Sequence, residues 1–238
     1  MMLTNEKPMK QVPVLFNRNP MTPTGKMEQP PENEIKNTFG LWNASLDDAV
    51  RYGGEVTRQA LQAMNLRHDR KNIIVDTKIH MLMKGWSPAI PGWHADGAPR
   101  DKFKNPQGTG TPDTFAQEGD ERYNRYHILV TGTGCLTQYI NRPMSIYIPE
   151  QPSYDVYSIM SSYVREQVNL QPNLVSTMPS CTVMEFDWWN IHTGVVATKK
   201  EWRYLIRVCE SDYYEPRKDL REVIRMQSQI YSPADFGW

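Results

Sequence analysis

The stretch from Ile73 to Lys84 has a period of two, and this alternation constrains the fold more than any other feature of the chain. Thr77, Ile79, Met81 and Met83 alternate with more polar neighbours. Successive side chains of a β-strand point to opposite faces, so the pattern predicts a long strand with one apolar face. Shorter strand-like runs, bounded by Gly, Pro and polar residues, follow at 125–130, 135–140, 145–148, 182–186 and 202–209.

Many short strands with few helices predict a mainly β fold, a double-stranded β-helix (jelly-roll, cupin-like) core with flanking α-helices. At 238 residues the chain has the length of one such domain. We expect a Pro-rich extended arm, a helical flank, the β-helix core, and a C-terminal helix and tail. Their ranges are 1–40, 41–72, 73–210 and 211–238, with a lid or surface insertion at 97–124.

A His-x-Asp motif follows the long strand in a turn-rich segment. Residues two apart in an extended chain project to one side, so His94 and Asp96 can face the same point. His192 lies just after another apolar, strand-like run and supplies a third ligand. Two histidines and one carboxylate on one face of a metal suit a non-haem Fe(II) site with open positions. We interpret the remaining candidate, His80, as a packed or surface histidine.

Composition argues against several classes of protein. Lys plus Arg and Asp plus Glu both number 27, so bulk charge would not drive the chain onto nucleic acid. The three cysteines lie far apart without a Cys-x-x-Cys motif, which favours reduced, buried thiols in a cytoplasmic protein. We find neither a signal peptide nor an apolar run of membrane-spanning length, and expect no membrane partner.

The last strand-like run carries two arginines on one face, Arg203 and Arg207, and Tyr204, Ile206 and Val208 on the other. If the apolar face packs under the helices, both arginines point into the barrel. A buried guanidinium is costly unless it meets a carboxylate, which its forked donors match. An acidic cosubstrate or substrate would provide that carboxylate. An ordinary ion pair with Glu or Asp, or the opposite facing of the strand, explains the pattern equally well.

Taken together, these residues resemble the 2-oxoglutarate/Fe(II)-dependent dioxygenases. The resemblance rests on His94-x-Asp96, on His192 followed by Thr-Gly, and on Arg203 placed 11 positions past His192. It covers roughly residues 73–210. The Pro-rich arm and the long loop after the His-x-Asp motif depart from the family pattern, and no substrate branch is identified.

The resemblance implies an oxygenase, a hydroxylase that uses Fe(II), O₂ and the cosubstrate 2-oxoglutarate. Such an enzyme decarboxylates 2-oxoglutarate to succinate and CO₂ and hydroxylates a substrate C–H bond. Arg203 would hold the distal carboxylate of the cosubstrate, with Thr137 and Thr131 as further contacts. Arg207 would help to bind an anionic substrate, as the later arginine does in taurine-dioxygenase-like members.

Three tryptophans flank the expected ligands, Trp93, Trp188 and Trp189. They would either shape a dry substrate pocket or belong to the core, as aromatic residues beside strands more often do. The substrate is expected to be a small molecule such as an amino acid, a small acid or a nucleobase, and we see no clear nucleic-acid signature. Two other classes stay open: a cupin-type metalloenzyme that does not use 2-oxoglutarate, and a non-catalytic jelly-roll binding or structural protein.

Overall fold

Antiparallel β-sheets dominate the computed structural model, which describes residues 10–100, 110–225 and 229–231. The strands in these ranges are β1 (Gln11–Phe16), β2 (Thr22–Lys26), β3 (Gly40–Ser45), β4 (Asn72–Leu82), β5 (Arg125–Val130), β6 (Gln138–Ile140), β7 (Met144–Pro149), β8 (Val175–Thr177), β9 (Thr182–Asp187), β10 (His192–Thr193), β11 (Glu201–Ser211) and β12 (Ile224–Arg225). The helices are α1 (Glu32–Lys36), α2 (Leu46–Tyr52), α3 (Gly54–Gln62), α4 (Val156–Leu170) and α5 (Leu220–Val223). The predicted mainly β class is confirmed.

The strands form one large sheet and two small ones. The large sheet has the order β12-β3-β4-β11-β5-β9-β2, a three-stranded sheet has the order β10-β6-β8, and β1 pairs with β7. The long strands β4 and β11 pair along their whole length, from Asn72 opposite Ser211 to Leu82 opposite Glu201. These two central strands therefore fix the frame on which the other elements are placed.

The two faces of β11 have different surroundings. Tyr204, Ile206 and Val208 are fully buried in an apolar cluster that includes Val56 and Ala60 of α3. The alternate residues of β11 lie on the other side of the sheet, so the apolar face does pack under the helices. Burial of the apolar face leaves the two arginines of this strand on the opposite, inner side of the sheet.

Ser45-Leu46-Asp47-Asp48 resembles a capping box and predicts a helix start at Ser45. The structure agrees, since Ser45 caps α2 by accepting a hydrogen bond from the Asp48 N–H at 3.1 Å. The helical region is divided at Gly53, and Gly54 has a φ of +81°, which glycine adopts without strain. The strand β3, which begins at Gly40 and continues into the 41–72 flank, was not expected, since its sequence shows no clear alternation. The arm, where it is described, contributes β1 and β2 to two different sheets.

The turn-like sequence at 131–134 predicts that the chain returns from β5 into a hairpin partner, and this prediction is wrong. β5 pairs with β11 and β9, whereas β6 pairs with β10 and β8 in the other sheet. The intervening turn is tied to the start of β11, because the Glu201 carboxylate accepts hydrogen bonds from the N–H groups of Thr133 and Gly134 at 3.2 and 2.5 Å. This anchor lets the chain cross from one sheet to the other.

The helical spacing after Pro216 predicts a C-terminal helix over 216–229, but among the described residues of that range the helix is confined to Leu220–Val223. Asp219 caps it, and the chain leaves the helix at Ile224 because this residue becomes extended and pairs with Leu41 of β3. Residues 226–228 and 232–238 lie outside the described part of the chain.

Part of the proposed lid, residues 101–109, likewise lies outside the described residues. The described remainder holds a 3-10 turn, Thr114–Gln117, whose last residue is buried and donates to the Trp188 carbonyl at 3.4 Å. This end of the loop is therefore packed on the core. Among the helices described, none is both long and apolar enough to cross a bilayer.

Candidate metal centre

The three expected ligands lie together. Each of His94, Asp96 and His192 offers one ligand atom within 4.8 Å of the others. The His94 Nε2 is 3.9 Å from Asp96 Oδ1, and the His192 Nε2 is 3.6 Å from Asp96 Oδ2. His94 and His192 exchange two backbone hydrogen bonds, of 3.0 and 2.9 Å, which join positions far apart in the chain. Their convergence is thus built into the backbone pairing.

Backbone carbonyls set the tautomers of both histidines. The His94 Nδ1 lies 3.2 Å from the Gly92 carbonyl, and the His192 Nδ1 lies 3.1 Å from the Asn190 carbonyl. A carbonyl oxygen only accepts, so we infer that each Nδ1 carries the proton and each Nε2 presents a lone pair. Burial is the larger cause and the charge of His192 the second, and they lower the pKa of His94 to about 4. This ring is therefore neutral near pH 7. Neutral imidazoles of this tautomer are metal ligands.

Asp96 is held as a carboxylate. Its burial favours the protonated form, but the guanidinium of Arg207 and the two histidines outweigh burial and hold the pKa well below its usual range. Arg207 donates from Nη1 to Asp96 Oδ2 at 2.6 Å. Two imidazoles and one ionised carboxylate form a donor set that could hold one divalent metal ion.

The structure places Arg207 at the site but gives it protein partners. Besides Asp96, it donates from Nη2 to Asp76 Oδ2 at 2.9 Å. Burial disfavours the charged guanidinium, yet the two carboxylates raise the pKa of Arg207 well above its ordinary value. Its expected contact with an anionic substrate stays a prediction, because both terminal nitrogens already have acidic partners within the chain.

Arg203 has no acidic partner among the described residues. Its side chain is only 2 % exposed, and Nε donates to the Cys135 carbonyl at 2.9 Å. Its Nη1 is buried and has no hydrogen-bond partner among the described residues. Burial lowers the pKa of Arg203, although the guanidinium stays charged at neutral pH. Within the described chain, no carboxylate forms a salt bridge with it, so the ordinary ion pair considered for this arginine is not formed there.

A cavity of about 340 Å³ connects the donor set with Arg203. Thr137 lines it, as does Lys78, whose amine makes no salt bridge to a described carboxylate. Burial and the charge of Arg207 lower the pKa of Lys78. The cavity therefore has an excess of positive charge, because Arg207 is neutralised by two carboxylates while Arg203 and Lys78 are not.

Other expected residues lie elsewhere. The Thr131 hydroxyl accepts a hydrogen bond of 2.9 Å from the Tyr204 N–H, away from the cavity lining. Trp93, Trp188 and Trp189 are buried core residues and do not line the cavity, which agrees with the core alternative. Apolar packing explains their position: Trp188 stacks on Tyr213, and Trp189 meets Phe16 edge-on. His80 is packed, as interpreted, with Nε2 3.2 Å from the Gln229 carbonyl.

Sequence reasoning missed Trp42, Asp76 and Lys78, which line the same cavity. The polar face of β4 looked like a solvent face, but it points to the inside of the fold beside the arginines of β11. The signal was present in the pairing, since Asp76 lies opposite Arg207 and Lys78 lies opposite Leu205. The sequence alone does not show that β11 is the strand that pairs with β4, and the positions of Asp76 and Lys78 follow only from that pairing.

Comparison of the sequence with protein-family models and with curated proteins found no match in either case. The geometry of the site is therefore the basis on which a function is proposed.

Proposed function

We propose that the chain is a 2-oxoglutarate- and Fe(II)-dependent oxygenase that hydroxylates a small-molecule substrate. The observation that carries this proposal is the buried Nη1 of Arg203, which has no hydrogen-bond partner in the described part of the chain and lies at the cavity that also contains His94, Asp96 and His192. A buried guanidinium donor without an acceptor is unfavourable, so the site is suited to a ligand that brings a carboxylate. A dicarboxylate that reaches from the donor set to Arg203 satisfies both ends.

The strand order supports the more specific fold assignment, a double-stranded β-helix. In such a fold two antiparallel sheets face each other and the chain alternates between them. The large sheet contains the order β4-β11-β5-β9. In the other sheet, His94 is bridged to β10, which is followed by β6 and β8. The chain passes between these two sets of strands as the alternation requires. The remaining strands, β12, β3 and β2, extend the large sheet at its two sides.

Each residue then has a defined task. His94, Asp96 and His192 would hold the iron through the two Nε2 atoms and a carboxylate oxygen. Bound Fe(II) with O₂ would supply the oxidising chemistry that couples decarboxylation of the cosubstrate to C–H hydroxylation. Arg203 would bind the distal carboxylate through its fork, and Lys78 adds a second positive charge in the same cavity. Burial of these groups keeps water away from the charged contacts and strengthens them.

The substrate would approach through two further cavities that border Arg207. Cavities of about 490 and 240 Å³ share Arg207 and Tyr214 in their walls, and the smaller one also touches His94 and Asp96. Volumes of this size fit small molecules rather than folded partners. The larger cavity includes Trp42 and Tyr126 as well as charged groups, which is compatible with an amino acid or a nucleobase.

The test is succinate formation by protein purified without oxygen and then supplied with Fe(II), 2-oxoglutarate and air. Uncoupled turnover commonly proceeds without substrate, so we expect succinate at a low rate that His192→Ala abolishes. Substrate candidates can then be ranked by the increase in this rate. If the protein binds one metal but neither binds nor decarboxylates 2-oxoglutarate, the result would instead favour another cupin-type metalloenzyme. If it binds no metal, the result would exclude both the oxygenase and the other metalloenzyme.

A further inference from the structure

A chain of three charged side chains leads from the edge of the large sheet to the candidate metal ligand. The Asn43 N–H donates to Asp76 Oδ1 at 2.8 Å, and Asp76 Oδ2 accepts from Arg207 Nη2 at 2.9 Å. Arg207 Nη1 in turn donates to Asp96 Oδ2 at 2.6 Å. Each terminal nitrogen of one guanidinium thus serves a different carboxylate, and the far end of the chain is fixed to the backbone of β3.

This arrangement restricts Asp96. One of its oxygens is engaged by Arg207, which leaves the other to be directed at a metal held by the histidines. A carboxylate on a turn has rotational freedom that would otherwise be lost on binding the ion. Groups that hydrogen-bond to metal ligands orient them and change metal affinity, typically by about 10-fold to 100-fold.

Charge gives Asp76 a second effect. Arg207 carries a positive charge next to a position where a dication would sit, and this proximity is unfavourable by itself. Asp76, which is 8 % exposed, neutralises that charge from the side remote from Asp96. With Asp76 in place, Arg207 can orient Asp96 without adding an uncompensated positive charge to the site.

We propose that Asp76 is a positioning residue for the metal, which acts through Arg207 to orient Asp96 and to balance the charge beside the ion. The proposal rests on the metal centre put forward above and adds to it a residue on β4 that belongs to no part of the His-x-Asp…His motif. It also gives Arg207 a role that does not require a substrate.

The experiment measures the dissociation constant for Co(II), without 2-oxoglutarate, by titration of the metal-free full-length protein. Asp76→Asn keeps the size of the side chain and an oxygen that can accept from the Asn43 N–H, so the fold should be retained. We expect Co(II) affinity to fall by about 10-fold to 100-fold. The visible spectrum of the Co(II) protein should also change, because the carboxylate ligand is no longer held in one orientation.

Glu210→Gln is the matched control. Glu210 is a fully buried carboxylate on β11 that accepts from Arg125 and His127, on the opposite face of the same sheet. This variant loses the same kind of ion pair and should lower the melting temperature. Its Co(II) affinity should stay within twofold of the wild-type value, and its Co(II) spectrum should not change. This result would separate loss of stability from loss of ligand positioning.

A double-mutant cycle tests the route through Arg207. In an Arg207→Gln background, Asp76→Asn should change Co(II) affinity by less than threefold, since there is no guanidinium left to hold or neutralise. Arg207→Lys provides a second measurement, because a lysine keeps the charge but cannot bridge two carboxylates through separate nitrogens. We expect Arg207→Lys to weaken Co(II) binding by about tenfold. This measurement still tests the proposal if the Asp76→Asn variant does not fold.

The outcomes separate the two proposals. If the wild type binds no metal, the metal centre and the proposed function both fall. If the wild type binds one Co(II) but Asp76→Asn binds it equally well, only the role of Asp76 is overturned. An equal loss of affinity with and without Arg207 would also overturn it, since Asp76 would then act by its own charge and not through the arginine.

Discussion

Arg203 differs from the buried Arg125 and the half-buried Arg207 of the same sheet because its Nη1 has no partner among the described residues. Arg125, also buried, is bound by Asp69 and Glu210, and Arg207 is bound by Asp76 and Asp96. An arginine kept buried without a carboxylate costs stability, and for this reason we propose that a ligand carboxylate pairs with Arg203. This contrast within one sheet is the reason for assigning the cosubstrate contact to Arg203.

Substitution of Arg203 tests that assignment. Arg203→Lys keeps the charge and loses the fork, and we expect 2-oxoglutarate affinity to fall by about 10-fold to 100-fold, or roughly 1.5–3 kcal/mol. Arg203→Ala should bind still more weakly, because the distal carboxylate would then be buried unpaired. Affinity is measured by titration of the Ni(II) protein, with Arg125→Lys as the control that should not change it. Unaltered binding in Arg203→Ala would move the assignment to Lys78.

Glu210, which lies on the opposite face of the sheet from the candidate metal centre, allows a prediction of how stability depends on pH. Burial by itself would raise the pKa of this carboxyl, but hydrogen bonds from His127, the His68 N–H and Arg125 outweigh burial and lower the pKa to about 2. Because the folded pKa is depressed, the stabilisation is complete above pH 4.5 or so and is lost as the pH falls towards 2. The gap in unfolding free energy between wild type and Glu210→Gln should therefore shrink by about 2 kcal/mol from pH 7 to pH 3.

Urea unfolding at the two pH values measures this gap. The Asp76→Asn variant is not a suitable comparison, since its carboxylate adjoins the metal site. A gap that stays constant between pH 7 and pH 3 would contradict a stabilising, ionised Glu210. At the scale of single residues, the sequence allowed prediction of the His94-x-Asp96 pair because its spacing is local, and of His192 because it follows a strand-like run. Asp76 and Lys78 depend on a cross-strand register that spacing does not encode.

Among the elements, β2 approaches the residue after α3 closely at one glycine, Gly25. Its pairing with β9 shifts register between Pro23 and Gly25, and a Cβ added at Gly25 would lie 1.9 Å from the carbonyl oxygen of Ala63, which follows α3. That atom belongs to the backbone and cannot rotate away. We expect Gly25→Ala to destabilise the fold by about 1–3 kcal/mol through overpacking, measured as a lower melting temperature.

Gly119→Ala is the control for Gly25→Ala. Gly119 has a φ of +74° and no atom within 4 Å of an added Cβ, so this change carries a backbone cost without a steric clash. Its effect should be the smaller of the two, near 1 kcal/mol. A Gly25→Ala protein as stable as wild type would show that β2 and the end of α3 do not pack as closely as described.

Elements with strong local patterns were predictable. The alternation in 73–84 corresponds to β4, and the Ser45 cap and Gly53-Gly54 pair locate the helices α2 and α3. Pairing between elements was not, and β6 shows why. Its sequence resembles the second strand of a hairpin, but the contacts between Glu201 and the preceding turn are non-local and carry it to another sheet. The C-terminal helix was overestimated for the same reason, since pairing of Ile224 with Leu41 overrides helical spacing.

For the whole molecule, the site lies where the two sheets meet. His94 and His192 are bridged at the edge of the three-stranded sheet, while Arg203 and Arg207 come from the centre of the large one. A metal held by His94, Asp96 and His192 would therefore cross-link segments that are about 100 residues apart in sequence. Because the unfolded chain cannot present these donors together, metal binding should stabilise the folded state selectively.

This linkage predicts the response of the melting temperature to metal. Ni(II), which does not start oxidative turnover, should add about 2.7 kcal/mol at a free concentration 100-fold above its dissociation constant. For a chain of this length that free energy corresponds to a rise of roughly 5–10 °C in melting temperature. His192→Ala should melt at the same temperature with and without Ni(II), and EDTA should reverse the rise in the wild type. Equal stabilisation of the wild type and His192→Ala would show that the ion binds elsewhere, because the bridged pair of histidines is what brings the two segments to a single donor set.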